Sequence, residues 1–293
     1  MRVTVLHHPD AGEGEWPEAR LKAFLAAAGI HGRYCPALGD AAAAALREAA
    51  GVVIAAGGDA TVARAAMLLD RAQAALAIMP TGGANNIARS LGAWRPPERI
   101  AAVVASRRSV ALPIGQVQAG DRTRCFVEAA GIGALTRSMR GIERGLPRDR
   151  KRQVGRAALR QALLAGEACR AAVVLDGAAL TEPFLTMELM NIEQIGPALR
   201  LADPRQADGR MAAVWLPVAA RDAMLDWLDQ PDGQPAPVRE ARVRHAAIHL
   251  NGEPLRLDAA AEPAIPGPIA LSLQDQPVRV LIPEIDHDHA ADT

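Results

Sequence analysis

Aromatic side chains are scarce in this chain: four Trp, three Phe and one Tyr make up 3% of 293 residues. Stacking platforms for bases are correspondingly few, and the core must be packed from Ala, Val and Leu. A surplus of charge of either sign is also missing. The 33 Lys and Arg are balanced by 33 Asp and Glu, so there is no basic field to hold a phosphate backbone, and nucleic acid is not expected as a partner. Cys35, Cys125 and Cys169 lie far apart without a CxxC pair. That spacing indicates neither a zinc site nor a disulfide framework, and it suits a reducing cytoplasm. No run approaches the ~18 uninterrupted apolar residues of a spanning helix. The N-terminal strand-like run breaks at His7-His8-Pro9, too early for a signal peptide. Any meeting with lipid is therefore expected to be peripheral, at the inner membrane face.

What is present is a regular alternation over the first third. Residues 3–6, 33–35, 52–54 and 75–79 read as strands, and residues 17–28, 41–50, 61–69 and 98–106 as helices, the second capped by Asp40. Strand and helix in alternation predict a parallel sheet with helices on both faces. The character changes near Leu112-Pro113. Beyond it, strand-like segments dominate, at 114–119, 125–129, 172–175, 184–190, 213–216, 269–273 and 278–282, with helices chiefly at 152–167 and 220–228. The expected organisation is an α/β domain over 1–112, a β-rich sandwich-like domain over 113–283 and a frayed tail over 284–293.

Chemistry concentrates in two loops. The strand around Val52-Val53-Ile54 enters Gly57-Gly58-Asp59-Ala60-Thr61 and then a helix. A glycine pair lets backbone approach an anion, and the helix start offers N–H groups at a positive dipole end. A tight turn with Asp59 as an ordinary N-cap is the competing reading. The following strand leads to Pro80-Thr81-Gly82-Gly83-Ala84-Asn85-Asn86-Ile87-Ala88-Arg89-Ser90-Leu91-Gly92, a second glycine-rich loop ending at a helix start. In a parallel sheet both loops leave from the carboxyl ends of strands, where ligands bind.

The pair GGDAT and PTGGANNIARSLG resembles the GGDGT and P-x-G-T-x-N-D-x-A-R-x-L-G motifs of the diacylglycerol kinase catalytic domain family, shared in part by sphingosine kinases and bacterial lipid kinases. Phe126 to Gly133, Met190-Asn191-Ile192 and Asp208-Gly209-Arg210-Met211 are similar to later segments of that family. The resemblance implies a Rossmann-like parallel-sheet lobe, NAD kinase/diacylglycerol kinase-like, followed by a β-sandwich-like lobe. It further implies ATP held by His8, Gly57, Gly58, Asp59, Ala60, Thr61, Thr81, Gly82, Gly83 and Asn85, with Mg²⁺ bridging the phosphates. The family's Asp-Asp-Gly metal turn retains only Asp208, and the proton acceptor is either Asp258 or Glu253. The implied activity is transfer of the γ-phosphoryl group to a lipid hydroxyl such as that of diacylglycerol, by a protein that could pair as a homodimer.

Five positions depart from the pattern. His8 stands for an Asn, Ala60 for the third Gly, Gly83 for a Thr, Asn86 for an Asp, and Asn251 for the Asp of an Asp-Gly-Glu. They leave open a kinase-fold protein that binds nucleotide or lipid without turnover, and phosphorylation of a soluble nucleotide as in NAD kinases. Two clusters have plainer alternatives. The arginines from Arg137 to Arg152 suit either anionic headgroups or a solvated loop, and Asp286, His287, Asp288, His289 and Asp292 suit a stray cation or a loose tail.

Overall fold

The computed structural model describes residues 1–106, 108–139, 148–202, 208–231, 234–262, 265 and 267–283, and divides into two compact units. In the first unit, strands β1 (Val3–His7), β2 (Arg33–Pro36), β3 (Gly51–Gly57) and β4 (Ala74–Pro80) lie parallel in the order β2-β1-β3-β4. Helices α1 (Glu18–Ala27), α2 (Asp40–Arg47), α3 (Asp59–Leu68), α4 (Asn86–Ser90) and α5 (Ile100–Ala105) connect and follow them, and β5 (Ser109–Leu112) closes the run. Leu21 and Leu25 of α1 share a core with Ile100 and Val103 of α5 against Val5, Ile54, Ala77 and Met79 of the sheet. Every residue of β4 is buried, as parallel strands covered by helices should be.

The second unit is built on strands β6 (Gly115–Ala119), β7 (Arg122–Phe126), β8 (Ala129–Gly133), β9 (Ala172–Leu175), β10 (Ala178–Ala179), β11 (Phe184–Met190), β12 (Gln194–Ile195), β13 (Leu199–Arg200), β14 (Met211–Pro217), β15 (Arg239–Val243), β16 (His245–His249), β17 (Leu255–Leu257), β18 (Ala260–Ala261) and β19 (Pro268–Leu273). One antiparallel sheet runs β10-β9-β16-β19-β6-β7 and another β15-β14-β11-β8-β17-β18. Their inner faces meet in one core, with Val173, Ile248 and Ile269 from the first opposed by Ile132, Met187 and Leu255 from the second. That is a sandwich in the sense expected. Helices α6 (Ala134–Ser138), α7 (Arg148–Leu164) and α8 (Arg221–Trp227) complete the unit.

Four features differ from the sequence reading. The last strand, β20 (Val278–Leu281), does not stay with the second unit; it inserts between β4 and β5, parallel to the first and antiparallel to the second. The expected strand at 125–129 is broken after Phe126, because the next three backbone N–H groups turn to the Asp258 carboxylate instead of a ladder. Asp40 is the first residue of α2 rather than its cap, which is Gly39 at φ 94°. Strands β15 and β16 were not anticipated; the exposed Arg239 and Glu240 open β15, and in β16 polar His245 and His249 stand among the exposed alternate residues, which masks the apolar period. The acidic tail with Asp286 to Asp292, and Arg140 and Arg144, lie outside the described residues.

Candidate functional site

The two glycine turns sit side by side because β3 and β4 pair in parallel register, with Gly57 opposite Pro80. The Thr81 N–H donates to the Gly57 carbonyl at 3.1 Å, which stitches the second turn to the first. Beyond that point the backbones nearly touch. A Cβ added at Gly82 would lie 2.3 Å from the Gly58 Cα, and one at Gly57 would lie 2.3 Å from the Thr61 hydroxyl oxygen. Neither Gly57, Gly58 nor Gly82 has positive φ. Close approach, not left-handed backbone, is what demands glycine there.

Ala60, where the family has its third glycine, falls inside α3 with ordinary φ, so the replacement imposes no backbone strain. Gly83 is likewise outside the positive-φ region, whereas Asn85 takes it, at φ 51° and ψ 44°, a conformation Asn tolerates better than most side chains. The Asn85 amide donates to the Gly82 carbonyl at 2.8 Å, and Arg89 donates to the Ala84 carbonyl while stacking 4.8 Å from the centre of the Trp94 ring. The second turn is therefore braced by its own side chains.

Asp59 opens α3 rather than lying on a loop, and its carboxylate reaches across to the second turn. It accepts the Ile87 N–H at 3.0 Å, capping α4 from another element. The N-cap reading was thus right in chemistry but assigned to the wrong helix. An anionic group between the starts of two helices is electrostatically favoured. At the end of β1, His7 is fully buried with Nδ1 2.7 Å from the Tyr34 hydroxyl, and burial holds its imidazole below the ordinary range. The His8 N–H donates to the Ala56 carbonyl, which brings the His8 backbone to the end of β3 beside Gly57.

The remaining candidates lie in the second unit. Glu253 is buried, and its two oxygens accept from Arg137 at 2.8 Å and from the Arg170 N–H at 3.1 Å. Arg137, first of the basic cluster, is thereby a structural partner. Asp258, at φ 52° just past β17, receives N–H groups from Val127, Glu128 and Ala129. Burial pushes its carboxyl up while those amides pull it down. Asn251, where the family has Asp, donates to the Arg170 carbonyl and contacts His249. Asp208 faces Arg242 at 3.0 Å and Arg210 at 3.8 Å, and among the described residues no group of three or more His, Cys, Asp or Glu converges as a metal site. One feature escaped the sequence reading altogether: Glu188 and Arg256 form a buried ion pair, and Gly131 leaves the space that Glu188 fills. The one signal was a lone Glu inside the apolar run Phe184-Leu185-Thr186-Met187-Glu188-Leu189-Met190.

A parallel sheet bearing two abutting glycine turns, with an antiparallel sandwich as a separate unit, is a fold found among solved diacylglycerol and NAD kinase structures. Residues 2–117 match the family model described as the diacylglycerol kinase catalytic domain. The fold is shared with a diacylglycerol kinase from Bacillus anthracis at 15% identity, covering 96% of each chain with a TM-score of 0.66. A yeast NADH kinase complexed with NADH is similar at 9% identity and TM-score 0.58, over 97% of this chain and 84% of that one. An NAD kinase from Archaeoglobus fulgidus in complex with ATP is similar at 11% identity and TM-score 0.51, over 97% and 94%. No curated protein sequence matches the chain.

Proposed function

We propose that the protein transfers the γ-phosphoryl group of ATP to the hydroxyl of a lipid such as diacylglycerol. The observation that carries the reading is the abutment of Gly57-Gly58 and Gly82, which keeps side chains away from two helix starts on one sheet edge. Phosphate oxygens suit such a place because backbone N–H groups and the helix dipole both favour negative charge. In phosphoryl transfer, positioning and electrostatic stabilisation supply most of the catalysis. Gly57, Gly58, Asp59, Ala60, Thr61 and the turn Thr81 to Asn85 would position the donor, with His8 alongside. Mg²⁺ would enter with the nucleotide; Asp208, flanked by Arg242 and Arg210, is poorly suited to hold it.

Of the two candidate proton acceptors, Glu253 is paired with the Arg137 cation, whereas Asp258 accepts only backbone N–H groups and burial pushes its carboxyl up; this supports Asp258 in the role. A lipid acceptor implies a peripheral encounter with a membrane surface. Among the described residues no helix is long and apolar enough to cross one.

The alternative is binding without turnover. It draws on Asn251, whose side chain is committed to its own turn where the family carries an acid. Purified protein with labelled ATP, Mg²⁺ and a panel of lipid alcohols, beside calorimetry with ATP alone, separates the two. Labelled lipid phosphate is the expected product. Heat of binding with no labelled lipid would leave the binding protein, and neither signal would end both readings.

A further inference from the structure

Three strands of the second unit set one row of residues side by side. Glu188 of β11 and Arg256 of β17 both pair with Gly131 of β8, which lies between them. Two strand spacings, roughly 10 Å, therefore separate the backbones of Glu188 and Arg256. Gly131 carries no side chain, and the Glu188 carboxylate occupies the place where a Cβ would stand. The Arg256 guanidinium meets it over that gap, and the two residues are 2% and 1% exposed. Stability is a poor reason for such a pair, because apolar side chains of similar volume often serve as well or better. The other end of the guanidinium supplies a better reason. While Nη2 donates to Glu188, Nη1 donates to the main-chain carbonyl of Asp258.

Asp258 and Ala259 form the two-residue turn between β17 and β18, and Asp258 sits there at φ 52°, a conformation that a residue other than glycine keeps only when its surroundings hold it. The Asp258 N–H donates to the Ala129 carbonyl at 2.8 Å, so the residue is held at its N–H, its C=O and its side chain together. Its carboxylate is loaded unevenly. Oδ1 accepts from Val127, Glu128 and Ala129, whereas Oδ2 shares only the Val127 N–H. Oδ2 is thus the oxygen with acceptor capacity left. We propose that Arg256, braced by Glu188 across Gly131, is a positioning residue for Asp258: it fixes the turn so that Oδ1 stays on the three amides while Oδ2 can accept a proton. A guanidinium suits this task, since its rigid fork holds two oxygens on different strands at set angles. Glu188 also offsets the Arg256 charge, which by itself draws the Asp258 carboxyl down and weakens it as an acceptor. The catalytic use of this position rests on the kinase reading with Asp258 as proton acceptor; the positioning itself does not.

Amide NMR of the full chain reads the positioning without any turnover, because the N–H groups of Val127, Glu128 and Ala129 donate to Asp258. In the double variant Glu188→Met/Arg256→Met, which removes both charges together, these amides should move upfield. Their exchange with deuterium should quicken about tenfold or more, as expected when hydrogen bonds to a charged group are lost. Amides of the β3–β4 ladder should keep their wild-type exchange, which separates a local release of Asp258 from general loosening. With ATP and a lipid alcohol, kcat should fall roughly 10- to 100-fold, the cost of a misplaced reacting group. The KM for ATP should hold within about twofold, since the donor loops are untouched. Arg256→Lys keeps the cation but not the fork; it should move the same amides in the same sense, and it carries the test if the double variant does not fold. The three amides unmoved in the double variant, or in Arg256→Lys where that variant does not fold, would overturn the assignment, as would displaced amides with wild-type kcat. Wild type that phosphorylates no lipid would instead end the kinase reading, and the amides would still decide whether Arg256 holds Asp258.

Discussion

Asp59 shows how one side chain can serve architecture and chemistry together. Its carboxylate caps α4 through the Ile87 N–H, so Asp59→Ala should cost about 1 kcal/mol in urea unfolding, the usual worth of a cap. Asp59→Asn keeps an oxygen for that bond and should hold stability close to wild type. If the charge itself takes part in transfer, the Asn variant loses turnover by roughly 10²-fold or more. Wild-type turnover in it would leave Asp59 a purely architectural role. Glu188 is the other informative residue. Burial pushes its carboxyl up from 4.5 to about 7 against the pull of Arg256. The folded state then binds more protons than the unfolded one between those values, so stability falls as pH rises through that window and levels off above it. Unfolding midpoints of wild type and Glu188→Gln across pH 4.5 to 7 should diverge, with the decline missing from the variant; parallel curves would deny Glu188 this role.

At the scale of elements, the two glycine turns behave as one object. Gly82→Ala would drive a methyl to 2.3 Å from the Gly58 Cα, a backbone atom that cannot swing aside as a side chain would. One turn must move away, so nucleotide affinity should drop at least about tenfold while the helices, judged by circular dichroism, persist. Gly92→Ala is the control, since no atom lies within 4 Å of its added Cβ, though its φ of +64° adds modest local strain. Equal effects of the two substitutions would remove the abutment from the site. The glycines and their order were legible in the sequence. The reason for them was not, because contact between turns about 25 residues apart depends on β3 and β4 pairing side by side, and strand order is a long-range property. For the same reason the break after Phe126 was invisible: it is made by Asp258, 131 residues beyond Val127.

At the scale of the molecule, β20 is the telling element. Val278 and Val280 are completely buried between β4 and β5, and burial of such side chains is worth about 1.5–3 kcal/mol each. A chain ending at residue 277 should therefore lose several kcal/mol from the first unit and leave β5 without its antiparallel neighbour. Limited proteolysis should then cut residues 1–112 sooner than in the full chain; unchanged resistance would show that β20 is dispensable.

By itself the sequence determined the succession of elements in the first unit, the two glycine-rich turns and the strand-rich character of the second unit, since these depend on local periodicity and turn chemistry. Tertiary structure alone decided that β20 returns to the first sheet, that Asp59 caps a helix not its own, and that Glu188 is buried against Arg256. Each of these joins residues distant along the chain, and only the packed fold sets which distant groups meet and which remain without a partner.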